Sequence, residues 1–240
     1  MKKTILLAIF SLLFLGCAKD KEVDGKKIFR ESMDYHDPSN SWENTTLNIH
    51  IQEPRTLNPH RYSVVELDNS DNTFRLKRNR DDNISEHIID KNGSSSVLLN
   101  GEIATDTALI NKYRLDPSRN IGYRQFYQIF YGLPMSLENR ISEIKNTMET
   151  TFANQECYKV EIELKEPMFS KDWNLFISKS TKEIIGIEIV TKDKPAEGER
   201  LYFEKTITIN EIRIPRIRHW HELSDDSYSG TDIIIDILTD

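Results

Sequence analysis

Cysteine is scarce in this chain of 240 residues, which contains only Cys17 and Cys157. If Cys17 carries a lipid, as the sequence around it indicates, no disulfide can form within the chain. Stability must then come from the hydrophobic core, and Cys157 is expected to be an inert structural thiol. Strict alternation along its predicted strand groups Cys157 with charged residues, so a bulge would be needed to turn it inward.

The motifs that mark common enzymes are also absent. Residues 93–96 (Gly-Ser-Ser-Ser) lack the Gly-x-Ser-x-Gly spacing of a hydrolase nucleophile. There is no phosphate-binding loop, paired-carboxylate motif or Cys-x-x-Cys pair. His36 and Asp37 precede Pro38, and a helix terminus explains them more simply than a catalytic dyad does. The sequence predicts a protein that is not an enzyme and uses no cofactor.

Positive charge is not in excess, since the formal net charge is -7 at pH 7. Such a chain has no general attraction to nucleic acid or to anionic lipid. We therefore expect no nucleic-acid partner, and contact with a membrane has to come from an anchor.

Only one long apolar run is present, at residues 5–15 after Met1-Lys2-Lys3. It is too short to span a bilayer comfortably, and it predicts a signal peptide over residues 1–16. Gly16-Cys17 follows at once and resembles a bacterial lipobox, in which the cysteine receives lipid. Ordinary secretory cleavage is the alternative, but no pair of small residues of the A-x-A kind lies nearby. Cys17 is the predicted lipidation site, and residues 17–25 form a charged tether.

The residue after the cysteine favours one membrane. Ala18 is not the aspartate that keeps lipoproteins on the inner membrane in some bacteria. We therefore expect an outer-membrane anchor, with the protein on the periplasmic face or on the cell surface. The charged run 19–22 weakly resembles export tags, although a solvated linker explains it more simply.

The spacing of the apolar residues changes after the first helix of the mature chain. Apolar residues at helical spacing predict a helix over 26–37. A short helix is expected over 105–113, and 193–199 is the most exposed loop. Alternation in steps of two predicts antiparallel strands joined by short turns. These strands cover 47–52, 62–67, 73–78, 86–91, 94–99, 141–152, 157–164, 172–178, 184–192, 200–209, 214–223 and 228–238.

One further helix, within 120–134, has a wholly aromatic face and ends at Gly132 and Pro134. Its spacing predicts a central plug against which the sheet packs. The rings either form simple core or line a ligand cavity, and the tyrosine hydroxyls keep the second possibility open. They belong to Tyr123, Phe126, Tyr127, Phe130 and Tyr131.

A strand near the C-terminus carries polar candidates on both faces. Arg216, Arg218 and Trp220 share one face and could present cations and a ring to an anionic head group, or the arginines could pair with nearby carboxylates. His219 and His221 share the other face. A metal needs at least a third ligand, and no local motif supplies one, so no metal site is predicted.

Several short sequences are distinctive when taken together. They are His36-Asp37-Pro38 with Trp42, Phe-Tyr-Gly-Leu-Pro-Met at 130–135, Asp-Trp-Asn-Leu-Phe-Ile at 172–177, Gly198-Glu199, Ile-Pro-Arg-Ile-Arg at 214–218, and Tyr-Ser-Gly-Thr-Asp at 228–232. In this order and spacing they resemble a family of uncharacterised bacterial envelope lipoproteins. That family is similar in fold to the LolA and LolB lipoprotein carriers.

The resemblance implies an α+β, mainly β fold, in which residues 26–240 form one domain. Its curved antiparallel sheet, a half-barrel, would wrap around two or three helices and leave a cavity able to shelter an acyl chain. We expect a monomer, anchored to a membrane, that binds a hydrophobic ligand or an acylated lipoprotein through the aromatic face and the Arg216, Arg218 and Trp220 face. The alternative is a non-catalytic scaffold in an envelope assembly.

Overall fold

A computed structural model of the chain describes residues 23–57 and 59–237. The predicted signal peptide and Cys17 lie outside the described residues. Three α-helices are present in the described part of the chain: α1 (Gly25–His36), α2 (Thr107–Tyr113) and α3 (Asn120–Tyr131). None of the helices within these residues is long and apolar enough to cross a membrane.

The alternating segments all form strands. In chain order they are β1 (Thr46–Glu53), β2 (Arg61–Asp68), β3 (Phe74–Arg80), β4 (Asn83–Ile89), β5 (Ser95–Leu99), β6 (Ile141–Phe152), β7 (Gln155–Met168), β8 (Ser170–Ser178), β9 (Ile184–Thr191), β10 (Lys194–Ile209), β11 (Ile212–Glu222) and β12 (Tyr228–Ile237).

These strands build one antiparallel sheet from two meanders. Its order is β5-β4-β3-β2-β1-β12-β11-β10-β9-β8-β7-β6, so the first and last strands are neighbours in the middle. The edges are β5 and β6, which are consecutive in the chain. The chain must therefore cross from one edge of the sheet to the other, and α2 and α3 lie in that crossing.

The sheet is strongly curved. Helix α1 contacts β6, β7 and β8 at one edge and also β11. On a flat sheet β6 and β11 would be roughly 24 Å apart, which is five strand spacings of about 4.8 Å. A helix is only about 10–12 Å across. The sheet therefore bends around α1 without closing, and the predicted mainly β half-barrel wrapped around helices is confirmed.

The aromatic face of α3 packs into the concave side of the sheet. Tyr127, Phe130 and Tyr131 are at most 2% exposed, and they join one core cluster with the inward residues of the strands. Complete burial of one such side chain contributes about 1.5–3 kcal/mol. Gly132 ends the helix, as predicted.

The loop predicted over 193–199 is mostly strand, and that prediction is wrong. Strand β10 already begins at Lys194, which pairs with Thr191, and Gly198 pairs with Val190. The register shifts between Lys194 and Gly198, which accommodates the turn-forming residues in this segment without ending the strand. Residues 192–197 are exposed, as expected.

Cys157 is buried although it keeps the alternation of its strand. It lies on the face of β7 opposite to the inward residue Val160. Phe152, Phe176 and Ile185 cover it there in a small second cluster. No bulge is needed, because apolar neighbours on the outer face bury the thiol where it stands. Burial raises the pKa of this thiol, which favours the unreactive protonated form.

Candidate functional site

The concave face of the sheet is apolar along most of its length and becomes polar at one end. On β3 the inward positions read Phe74, Leu76, Arg78 and Arg80. The side-chain period of two therefore carries two arginines onto the same face as the core residues. They occupy the last part of the strand.

Neighbouring strands bring further polar residues to the same end. Glu53 ends β1 and pairs with Arg61, which begins β2. Ser63, the next inward position of β2, pairs with Arg78. Because these strands are antiparallel, the end of one lies beside the start of the next, and the polar residues converge.

Glu53 is the centre of a buried ionic network. One oxygen of its carboxylate lies 3.2 Å from Arg61, 3.3 Å from Arg78 and 3.4 Å from Arg55. The other oxygen accepts a hydrogen bond of 2.5 Å from Ser63. Burial by itself raises the pKa of Glu53, but the three guanidinium charges and the Ser63 hydrogen bond outweigh it and lower that pKa. The carboxylate is therefore ionised at neutral pH.

A second carboxylate extends this network towards β11. Asp232 accepts a hydrogen bond of 2.5 Å from Arg55 and one of 2.9 Å from the indole nitrogen of Trp220. Arg78 also donates to the hydroxyl of Tyr127 at 2.5 Å. The polar end of the sheet is thus tied directly to the aromatic face of α3.

Two adjoining hollows open at this polar end. The larger has a volume of about 620 Å³ and the smaller about 470 Å³. They share Arg55, Arg61, Phe126 and Phe169 in their walls, and we call the two hollows together the mouth. Their volumes lie within the range of about 300–1,000 Å³ that is usual for ligand sites.

Phe169 is the residue of the mouth that sequence reasoning missed most clearly. It lies between β7 and β8, is 65% exposed, and has a backbone φ of 63°. A left-handed conformation is uncommon for a bulky side chain and often accompanies function. The ring centroid lies 6.3 Å from that of Phe126 and 6.0 Å from that of Phe130. Sequence periodicity offered no direct signal for it, because the predicted strands stop at 164 and resume at 172, whereas in the structure only Phe169 separates β7 from β8.

Four of the predicted ligand-binding residues lie in the walls of the mouth. Tyr123 and Tyr127 line the larger hollow, Trp220 lines the smaller one, and Phe126 lines both. The rings of Phe126 and Trp220 stack with centroids 6.2 Å apart and planes 17° apart. This pair gives the mouth a flat apolar surface.

The other four lie outside these walls. Phe130 and Tyr131 are core residues that are at most 1% exposed. Arg218 is wholly buried, with its guanidinium 3.9 Å from the centre of the Tyr131 ring and its Nε donating to the carbonyl of Phe130. Arg216 is half-buried and donates to the carbonyl of Ile234.

The two histidines beside Trp220 have local partners. The Nδ1 of His219 lies 2.8 Å from the hydroxyl of Thr231, and the Nδ1 of His221 lies 2.8 Å from the carbonyl oxygen of Asp226. Within residues 23–57 and 59–237, no group of three or more His, Cys, Asp and Glu side chains could hold a metal ion.

The fold is similar to several solved bacterial structures. A domain described as that of an outer membrane lipoprotein-sorting protein, from Vibrio parahaemolyticus, is 11% identical with a TM-score of 0.50, over 90% of this chain and 93% of that one. A LolA superfamily protein from Nitrosomonas europaea is 10% identical with a TM-score of 0.48, over 91% and 94% of the two chains. A DUF1329 family protein from Desulfovibrio piger is 10% identical with a TM-score of 0.49, over 90% and 95%.

These likenesses concern the fold alone, and the likeness to the Vibrio parahaemolyticus domain confirms the expected similarity in fold to lipoprotein-sorting proteins. A comparison with curated protein sequences finds no match. A family model, however, matches residues 2–236, which is nearly the whole chain. The chain therefore belongs to the family DUF6503, which is described as a family of unknown function.

Proposed function

We propose that this protein binds the acyl chain of a lipid or of an acylated protein in the mouth, without catalysing a reaction. The observation that carries the proposal is that two adjoining hollows share Phe126 and the exposed Phe169 at one end of an open half-barrel. An exposed ring of this size beside a hollow offers apolar surface that the fold itself does not bury.

The walls of the mouth suit an acyl chain. Phe126, Phe169 and Trp220 provide apolar surface, and Met168 adds a flexible side chain that adapts to irregular ligands. Each buried methylene contributes about 0.8 kcal/mol, so six of them would contribute about 5 kcal/mol to binding. A short part of one chain is therefore enough for measurable affinity.

The proposed function also places the protein in the bacterial envelope. The Vibrio parahaemolyticus domain of similar fold is described as belonging to an outer membrane lipoprotein-sorting protein. That description supports a place in the bacterial envelope and a lipid or an acylated lipoprotein as the partner. The protein would act as a binding or carrier protein held in the outer membrane by its own lipid.

The anchor has a separate test, because Cys17 lies outside the described residues. In the Cys17→Ser variant the acceptor of the lipid is lost, so the protein should move to the soluble fraction or accumulate as a full-length precursor. Membrane fractionation with immunoblotting measures both outcomes. A mature, membrane-bound Cys17→Ser protein would show that the attachment lies elsewhere.

Acyl-chain binding can be tested by blocking the larger hollow. Gly122 lies on α3 in its wall, and a Cβ there would meet no atom within 4 Å. Gly122→Phe should therefore fill the hollow without straining the helix. We expect it to reduce saturable labelling by a photoactivatable palmitic acid severalfold in full-length protein reconstituted in phosphatidylcholine nanodiscs.

Ala108→Phe is the matched control, because Ala108 is exposed on helix α2 and lines neither hollow. It should be labelled like the wild type. Equal labelling of the Gly122→Phe and Ala108→Phe variants would place the probe outside the larger hollow.

A scaffold without a ligand is the second candidate, and the burial of part of the aromatic face in the core favours it. Phe130 and Tyr131 are at most 1% exposed and belong to the main hydrophobic cluster. This candidate predicts that the wild type is not labelled saturably, so the same experiment separates the two functions.

A further inference from the structure

The charge of the mouth is opposite to that of the whole chain. The chain has a formal net charge of -7. The walls of the two hollows contain two glutamates, Glu53 and Glu199, and six arginines. The arginines are Arg55, Arg61, Arg78, Arg80, Arg114 and Arg119.

Buried carboxylates account for only part of this positive charge. Three of the arginines share Glu53, and Arg55 also binds Asp232. Burial and the nearby charge of Glu222 raise the pKa of Glu199, the other glutamate of the mouth.

The remaining arginines lack such partners. Within residues 23–57 and 59–237, no carboxylate oxygen lies within 4.0 Å of the side chains of Arg80, Arg114 or Arg119. Arg119 does lie near Asp116, whose pKa is lowered mainly by hydrogen bonds from Ser118 and further by the charge of Arg119. Arg80 and Arg114 are therefore the cations of the mouth with the least compensation.

Arg80 combines a buried polar atom that has no partner with several positive charges nearby. Its Nε is buried and has no hydrogen-bond partner in the described part of the chain. Burial lowers the pKa of Arg80, and the charges of Arg78, Arg61 and Arg114 lower it further. An arginine stays charged under these conditions, so the like charges repel one another when no anion is present. A bound anion would supply the missing acceptor and relieve the repulsion.

We propose that the ligand of the mouth is an anionic amphiphile, whose carboxylate or phosphate head group is bound by Arg80 and Arg114 while its acyl chain lies against Phe126 and Phe169. All four residues line the larger hollow. The planar guanidinium group matches the geometry of carboxylate and phosphate oxygens. The inference rests on the proposed function, since it specifies the ligand class of the same site.

Competition for photoactivatable palmitic acid tests this selectivity in the wild-type, full-length protein in phosphatidylcholine nanodiscs. Palmitate and palmitoyl lysophosphatidate are the anionic competitors, and monopalmitoylglycerol is the neutral one. A charge-assisted hydrogen bond made only by the anionic head groups should improve competition about tenfold or more over the neutral ester. Whichever anionic compound competes better identifies carboxylate or phosphate as the preferred head group.

A double variant, Arg80→Gln with Arg114→Gln, tests the assigned residues. It should abolish the advantage of the anionic competitors. Its urea-unfolding midpoint should not fall below that of the wild type, because neither arginine has a carboxylate partner within the described residues and their removal relieves repulsion. Arg30→Gln is the control, since it removes one charge from an exposed position of α1 outside the mouth. It should keep the full advantage.

Two results would overturn the inference, and they differ in what they say about the proposed function. If monopalmitoylglycerol competes as well as palmitate, head-group selectivity is refuted while acyl-chain binding stands. If no competitor displaces the probe, or no saturable labelling occurs, acyl-chain binding is refuted as well.

Discussion

Glu53→Gln is expected to lower the free energy of unfolding by about 3–5 kcal/mol, because it breaks a buried ion pair and leaves uncompensated positive charge. Glu53 is 4% exposed and lies within 3.4 Å of three arginines. Glutamine keeps the size of the side chain but removes the charge. Urea unfolding at pH 7 measures the effect.

Glu66→Gln is the matched control for this experiment. Glu66 is 44% exposed, and its nearest cation is Arg75 at 4.0 Å, so the expected loss is below about 1 kcal/mol. If Glu53→Gln were as mild as Glu66→Gln, the three arginines would not depend on this carboxylate, and our account of the polar end of the sheet would be wrong.

Acidification from pH 7 to pH 5 is expected to lower the free energy of unfolding by about 4 kcal/mol, about 2 kcal/mol for each of two buried histidines. Burial is the main cause that lowers the pKa of His36 and of His87 from 6.5 to about 4. In the unfolded chain both histidines bind protons as the pH falls below 6.5, whereas in the folded chain they do so only near pH 4. The unfolded state therefore binds more protons in this window, and stability falls with the pH.

The hydrogen bonds of His36 explain why the folded state resists its protonation. Its Nε2 accepts a hydrogen bond of 3.0 Å from the backbone N–H of Ile184, and its Nδ1 lies 2.5 Å from the carbonyl oxygen of Arg213. A neutral ring can accept at Nε2 and donate at Nδ1, and a second proton would break the bond to Ile184. The predicted helix terminus is thus also the connection between α1 and strands β9 and β11.

Urea unfolding at several pH values checks this prediction. His87→Gln should remove about half of the decrease in the free energy of unfolding between pH 7 and pH 5. His60→Gln, at an exposed position, should leave that decrease unchanged. Glu53 affects stability only at lower pH. Its pKa is 4.5 in the unfolded chain and lower in the folded chain, so the stability that its ionised form contributes is lost only as the pH falls below about 4.5. A stability that is flat from pH 7 to pH 5 would contradict the assignment of two buried neutral histidines.

The strands and helices could be predicted from the sequence because local periodicity determines them. Alternation in steps of two located every strand, and the aromatic spacing of α3 located the central helix. The order of the strands in the sheet, by contrast, could not be predicted from local periodicity. The sheet is joined by pairs such as Ile49 with Ile237 and Gln52 with Ile233, which are far apart in the chain, and no local pattern contains that information.

The candidate site was predictable only at the aromatic helix and at Trp220 on β11. Arg78 and Arg80 follow Phe74 and Leu76 in the same phase of β3, so their inward direction was present in the sequence. A charged residue at the end of a strand is usually solvated, however, and only the convergence of several strands makes these arginines a cluster. For Arg218, alternation predicted the correct face of the strand. It did not predict that the side chain is fully buried against the ring of Tyr131.

The position at which an acyl chain binds is the central claim, and mapping a photoactivatable palmitic acid cross-linked to the full-length protein by mass spectrometry tests it most directly. We expect the saturable label on α3 around Phe126 and on the corner around Phe169, the two aromatic walls of the mouth. Saturable labelling confined to the outer face of the sheet, or labelling that never saturates, would contradict the claim.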